Sequence, residues 1–150
     1  MSIEHNKLTE GMTTAVGATI EGILFEEPLL LTGKNKVLVD WSSIQHSTAS
    51  ITLKEVGILY LSFPKTLMQA IVEMVTGGEA TENQEEQEVD ALCEVLNSIG
   101  GLLMRSLVGQ NTIYKIGIPQ IVTEEFNREF LLDLNYTVSD EKFSLAMELN

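Results

Sequence analysis

The segment Gln84–Val108 reads QEEQEVDALCEVLNSIGGLLMRSLV, and its interpretation organises the rest of the chain. On a helical wheel at about 100° per residue, Val89, Leu92, Leu96, Ile99, Leu103 and Leu107 gather on one side. Asp90, Asn97, Ser98, Gly101 and Arg105 fall within about 60° of Glu94, on the opposite side. This spacing predicts one long amphipathic helix that ends at Gly109-Gln110-Asn111. Two consecutive glycines, Gly100 and Gly101, lie inside it. A glycine in a helix interior costs ~1 kcal/mol relative to alanine, so the pair needs a reason. Wheel geometry leaves two readings open. Either the glycines allow close packing inside the fold, or Gly101 clears room for a partner protein to reach Asn97.

Working outward, Pro64 suits the first turn of a helix, where its missing N–H costs nothing. The helix Lys65–Val75 carries Leu67, Met68, Ile71, Val72, Met74 and Val75, and Gly77-Gly78 stops it. The acidic stretch Glu79–Asp90 then reads as a solvated loop entering the long helix. Upstream, Ala49–Lys54 and Val56–Phe63 are β-branched and turn-bounded, as sheet strands are. Pro28–Thr32 and Lys36–Ile44 flank Gly33-Lys34-Asn35, a hairpin pattern. A first helix is predicted over Ile3–Glu21, with Leu8, Met12, Ala15, Val16 and Ala18–Ile20 at helical spacing. Three strands follow the long helix: Thr112–Thr123, Arg128–Val138 and Lys142–Leu149, the last two turning at Ser139-Asp140-Glu141. Pro119 demands an edge or a bend in the first of these. The expected fold is α+β, with helices packed on a largely antiparallel β-sheet and a weak internal α-β pseudo-duplication, helix then hairpins, twice. No linker divides the chain, so residues 1–150 are expected to form a single domain.

Composition narrows the function. The chain is 44% apolar and 21% charged, with only 11 glycines and 3 prolines, which describes a folded globular protein. Nine basic against 22 acidic residues give a net charge of −13. That balance argues against nucleic acid, whose binders need a basic face, and against docking on anionic lipid. A partner with a basic surface, or with a cation in its site, fits better. The single cysteine, Cys93, excludes an internal disulfide and reads as a buried inert thiol. The start, Met1 to Lys7, has no apolar signal core, and no charge-free stretch approaches the ~18 residues of a membrane span. A soluble cytoplasmic protein is expected, so the sequon Asn135-Tyr136-Thr137 is not read as a glycosylation site.

Several chemistries have no pattern here. His5 and His46 lie far from Cys93 and make no zinc motif. There is no phosphate-cradling GxxxxGKS/T, no GxGxxG and no GxSxG elbow. Trp41 reads as a core or edge residue.

The outward stripe of the long helix is where the chain resembles a known family, the CheX-type chemotaxis phosphatases of the CheC/CheX group. That family's helix motif runs roughly Asp-x-x-x-Glu-x-x-Asn-x-x-x-Gly, and here it stands as Asp90, Glu94, Asn97 and Gly101. A Gly-led strand ending in Phe-Pro is matched by Gly57 to Phe63-Pro64, the helix close by Met74 to Glu79, and the downstream proline strand by Ile116 to Pro119. The ordered match spans about residues 55–123. Where the family often has Asn after the motif glycine, this chain has Leu102, and its first helix carries no second Glu-x-x-Asn.

The resemblance implies a one-site phosphatase that hydrolyses the aspartyl phosphate of a CheY-type response regulator. It implies catalytic roles for Glu94 and Asn97, with Asp90, Ser98, Gly101 and Arg105 on the partner-docking face. It implies no cofactor bound by this chain, Mg²⁺ in the partner regulator, and a homodimer. Two other readings stay open. One is a non-enzymatic module binding a response regulator or flagellar-switch protein; the other is a structural dimer whose stripe is internal packing.

Overall fold

The computed structural model describes residues 4–32, 46–78, 83–109, 111–123, 130 and 132–149. In chain order the elements are α1 (His5–Leu24), β1 (Leu29–Leu30), β2 (His46–Leu53), β3 (Gly57–Pro64), α2 (Lys65–Thr76), α3 (Gln84–Val108), β4 (Gln120–Ile121), β5 (Leu132–Val138) and β6 (Glu141–Leu149). The strands form one sheet in the order β1-β5-β6-β3-β2-β4, and every pairing is antiparallel. Among the described residues, three helices cover one face of it. The expected α+β class is therefore observed.

The sheet order also gives the pseudo-duplication a topological form. Exchange β1 with β4, β2 with β5 and β3 with β6, and the order becomes its own reverse. Each half supplies a helix and three strands, and each lends its short first strand to the other half's edge: β1 pairs with β5, and β4 with β2. α1 and α3 are the corresponding helices, and α2 is extra. The side chain of Leu103 meets the Cα of Gly11 so closely that an added Cβ would lie 3.0 Å away.

Alternation builds the core. Ala49, Ile51 and Leu53 of β2, Leu59, Leu61 and Phe63 of β3, and Phe143, Leu145 and Met147 of β6 are all buried in one cluster with the helices' apolar faces. Tyr136 of β5 stacks on Phe143 with ring centroids 5.3 Å apart. Its hydroxyl lies 3.1 Å from Thr13 Oγ1 on α1. The turn Ser139-Asp140 takes positive φ at both residues, as a tight two-residue hairpin requires.

Burial pushes the Tyr136 phenol up to about 12 from 10.0, and the Thr13 contact only partly opposes that shift. The neutral phenol is thus favoured in the fold, and its contribution is whole below pH 10 and lost as pH rises toward 12. Stability is expected to fall by roughly 2–3 kcal/mol across that window. Denaturant melts of wild type and Tyr136→Phe between pH 9 and 12, on the order of half-unit steps, check it: the variant's alkaline loss should be smaller.

Some expectations shift. α1 runs three residues beyond Glu21 before Phe25 caps it in the left-handed region. Pro64 ends β3 and stands as the N-cap of α2 rather than within its first turn. Thr112–Thr123 is not one strand: only Gln120–Ile121 pairs regularly, after an isolated bridge from Ile116 to Leu53. The residues around Pro119 instead follow β2 by single bonds, Gly117 N–H to Thr52 O and Val122 N–H to Thr48 O. Pro119 thus sits at an edge, as its missing N–H requires. The turn Gly33-Lys34-Asn35, the run Lys36–Ile44 and Trp41 lie outside the described residues. His46 begins β2. Asn135 is buried and accepts a 2.6 Å hydrogen bond from Ser144 Oγ, which suits a strand residue rather than a glycan acceptor.

Candidate functional site

α3 has the bounds expected, Gln84 to Val108. Glu85 and Glu86 occupy its first turn and Arg105 its last, each where the helix dipole favours that charge. α3 is also the helix, among the described residues, that is long and apolar enough to cross a membrane by length and composition. Its apolar residues are committed to the core instead: Leu92, Val95, Leu96, Ile99, Leu103 and Met104 are buried among α1, α2 and the sheet.

Burial departs from the two-sided wheel. Val89 and Leu107 are only half-buried, while Val95, Gly100 and Met104 are buried. The cause is that α3 packs on three sides, against α1, α2 and β2, so its buried arc is wider than one apolar stripe. Glu88 lies on that arc at 4% exposure, and one of its carboxylate oxygens has no hydrogen-bond partner. The acidic run is therefore not solvated throughout. Cys93 is half-buried rather than fully buried; burial and then the nearby Asp90 charge push its thiol up, away from the nucleophilic thiolate.

The remaining arc faces outward. Asp90, Glu94 and Arg105 are exposed, and Asn97, Ser98 and Gly101 are half-buried. All six residues expected at the site thus share one accessible strip. Glu94 and Asn97 stand one turn apart on it, the i, i+3 spacing that makes side chains neighbours. Neither lies beneath the sheet.

The two glycines separate into two roles. A Cβ on Gly100 would meet Leu53 Cδ2 at 3.4 Å and Ile51 Cγ2 at 3.6 Å, so Gly100 sets the close approach of α3 to β2. Among the described residues, a Cβ on Gly101 would meet only the Tyr114 hydroxyl, at 3.9 Å. Packing inside the fold accounts for Gly100 and leaves Gly101 unexplained. Gly101→Ala is accordingly expected to leave the chain as stable or more stable, by up to about 1 kcal/mol from helix propensity. A thermal melt decides: a drop in midpoint means that Gly101 is a packing residue after all.

Two flanks of the strip were not legible from the sequence. On one side stands Tyr114, held near Gly101 because Lys54 N–H donates to Lys115 O and ties that segment to β2. On the other side α2 and α3 enclose a groove of about 350 Å³, lined by Ile71, Val72 and Val75 and by Ala91, Val95 and Glu94. A tyrosine in a loop and a seam between two helices leave no pattern at fixed spacing, so no periodicity could have found them.

A polar strip on a single helix, open to solvent and flanked by an apolar groove, is suited to entering another molecule rather than enclosing a small one. The model of the family described as Chemotaxis phosphatase CheX matches residues 48–129, more than half of the chain and all of the strip. The chain belongs to the CheX family. The match runs from β2 through α3 to the segment after β4, the same region that carries the sequence motifs.

Solved structures share the CheX fold over nearly the whole chain. A chemotaxis protein from Desulfovibrio vulgaris Hildenborough is 15% identical with TM-score 0.70, covering 99% of this chain and 100% of that one. CheX from the CheX–CheY–BeF3–Mg²⁺ complex of Borrelia burgdorferi is 16% identical with TM-score 0.70, covering 95% and 97%. FliY from Thermotoga maritima is 16% identical with TM-score 0.60, covering 99% and 92%. At these identities the likeness speaks to fold alone. No curated protein sequence matches the chain.

Proposed function

We propose that this chain dephosphorylates a CheY-type response regulator by placing Glu94 and Asn97 of α3 in the regulator's active site. The observation that carries the reading is the accessible i, i+3 pair beside a glycine, Gly101, that the chain's own packing does not need. Membership in a chemotaxis phosphatase family supports the reaction class. A relative of the same fold is known in a complex with CheY, BeF3 and Mg²⁺.

The chemistry is hydrolysis of a mixed anhydride. Water attacks phosphorus, the bond between phosphorus and the aspartyl oxygen breaks, and phosphate and a free aspartate result. The regulator supplies Mg²⁺ and a lysine, so the step lacks chiefly a positioned water. Phosphoryl transfer depends on positioning and charge stabilisation, and one added group can matter greatly. The amide of Asn97 suits this task. Its carbonyl accepts a hydrogen bond from the water, its NH₂ can donate to a phosphoryl oxygen, and it stays neutral beside the phosphate.

Glu94 cannot approach the phosphoryl group alone, because like charges repel. Its carboxylate instead pairs with the regulator's lysine, a charge-assisted contact that orients α3. Asp90, Ser98 and Arg105 border the contact, and Gly101 gives it clearance.

The test is direct. Candidate regulators are phosphorylated with a small-molecule donor in Mg²⁺, the protein is added, and phosphate loss is followed. Accelerated loss from one regulator is expected. Binding without any change in the decay rate would make the chain a non-enzymatic module.

A further inference from the structure

We propose that the groove between α2 and α3 receives a large apolar side chain of the same response regulator, one that lies next to a basic residue on its docking face. This inference rests on the function proposed above and extends it to affinity and partner choice.

The groove is apolar and open. Val75, on its α2 wall, is 72% exposed. Its other walls are Ile71, Val72, Ala91 and Val95. Leaving such surface in water is unfavourable, and apolar clefts with polar rims are where interface hot spots sit.

Continuity identifies the occupant. Glu94 lines the groove and also belongs to the strip that enters the regulator. Ala91 and Val95 lie three residues before and one after it on the same helix. A protein whose active site closes over Glu94 and Asn97 therefore covers the groove as well. Charge selects among occupants. Asp90 and Glu94 form an acidic rim, and none of the groove's described lining residues is basic. A second copy seated symmetrically on this groove would set its own Asp90 and Glu94 against this rim, and like charges repel. A regulator that already presents its active-site lysine to Glu94 matches the rim, and only an apolar side chain beside that lysine fills the cleft between.

The test uses the full chain and a CheY-type regulator in its BeF3–Mg²⁺ form for binding, and in its phosphorylated form for rate. Val75→Asp places a charge in the groove at an exposed helix position, so the fold is expected to persist, which far-UV circular dichroism checks. The dissociation constant is expected to rise roughly tenfold or more, as for loss of an apolar hot-spot contact. The rate of phosphate loss at saturating protein should stay within about twofold of wild type, because the groove touches no reacting atom. Val75→Ser should weaken binding less than Val75→Asp.

An unchanged dissociation constant for Val75→Asp overturns the groove proposal and leaves the phosphatase reading standing. Weakened binding by Val75→Asp, with a wild type that never accelerates phosphate loss, overturns the phosphatase reading and keeps the groove. Failure of the wild type to bind any regulator of its genome overturns both.

Discussion

Asn97→Ala is expected to abolish the acceleration of regulator dephosphorylation while leaving the fold and the docking intact. The side chain is half-buried on the outer strip of α3, away from the core cluster. Surface substitutions of that kind change stability by about 0.5 kcal/mol or less, and alanine is the better helix former. Removing the one group that orients the water removes the positioning term, so the saturated rate should fall by about 10²-fold or to the regulator's intrinsic decay. Asn97→Asp separates geometry from charge. It keeps the size but loses the donor and brings a negative charge toward the phosphoryl group, so it should be no more active than alanine. Phosphate release at saturating protein, beside binding to the BeF3–Mg²⁺ regulator, reads both effects. Retained activity in Asn97→Ala would move the catalytic role elsewhere on the strip.

Gly57→Ala is expected to cost about 3 kcal/mol or more, among the largest losses a single methyl can cause. Gly57 opens β3 where it pairs with the end of β6. A Cβ there would lie 2.1 Å from Glu148 O and 2.9 Å from Leu149 Cα. Both are backbone atoms of the neighbouring strand, so no side-chain rotation relieves the clash, and the β3–β6 ladder must open. For a chain of this size the midpoint of a thermal melt should fall by roughly 6–12 °C. Gly17→Ala is the control, since among the described residues a Cβ at Gly17 meets nothing within 4 Å. It should hold or raise the midpoint. An unchanged midpoint in Gly57→Ala would mean that the strands pair differently at this end of the sheet.

Gly57 also illustrates how far local pattern reaches. A glycine leading a strand was visible in the sequence, but the reason, a neighbouring backbone at van der Waals contact, is long-range. α3 was legible to its ends because its period is strong and Gly109 stops it. The outer strip was legible too, because wheel position alone separates Glu94 and Asn97 from Leu96, Ile99 and Leu103. What failed was whatever depends on a second element. Glu88 reads as a solvated carboxylate, and the packing of α3 on its neighbours buries it. Thr112–Thr123 reads as a strand, but only Gln120–Ile121, just past Pro119, pairs regularly. The exchange of edge strands between the two halves, β1 to β5 and β4 to β2, could not be read from local spacing at all.

The most direct measurement concerns where the Asn97 side chain goes. With Mn²⁺ replacing Mg²⁺ in the BeF3-bound regulator, a substitution oxygen ligands accept, the metal becomes a paramagnetic beacon at the reaction centre. In an NMR spectrum of the complex, the side-chain NH₂ signal of Asn97 should vanish. That of Asn135, buried in β5 on the sheet, should broaden much less. Equal broadening of the two, or a sharp Asn97 signal in a saturated complex, would show that the amide never reaches the regulator's active site.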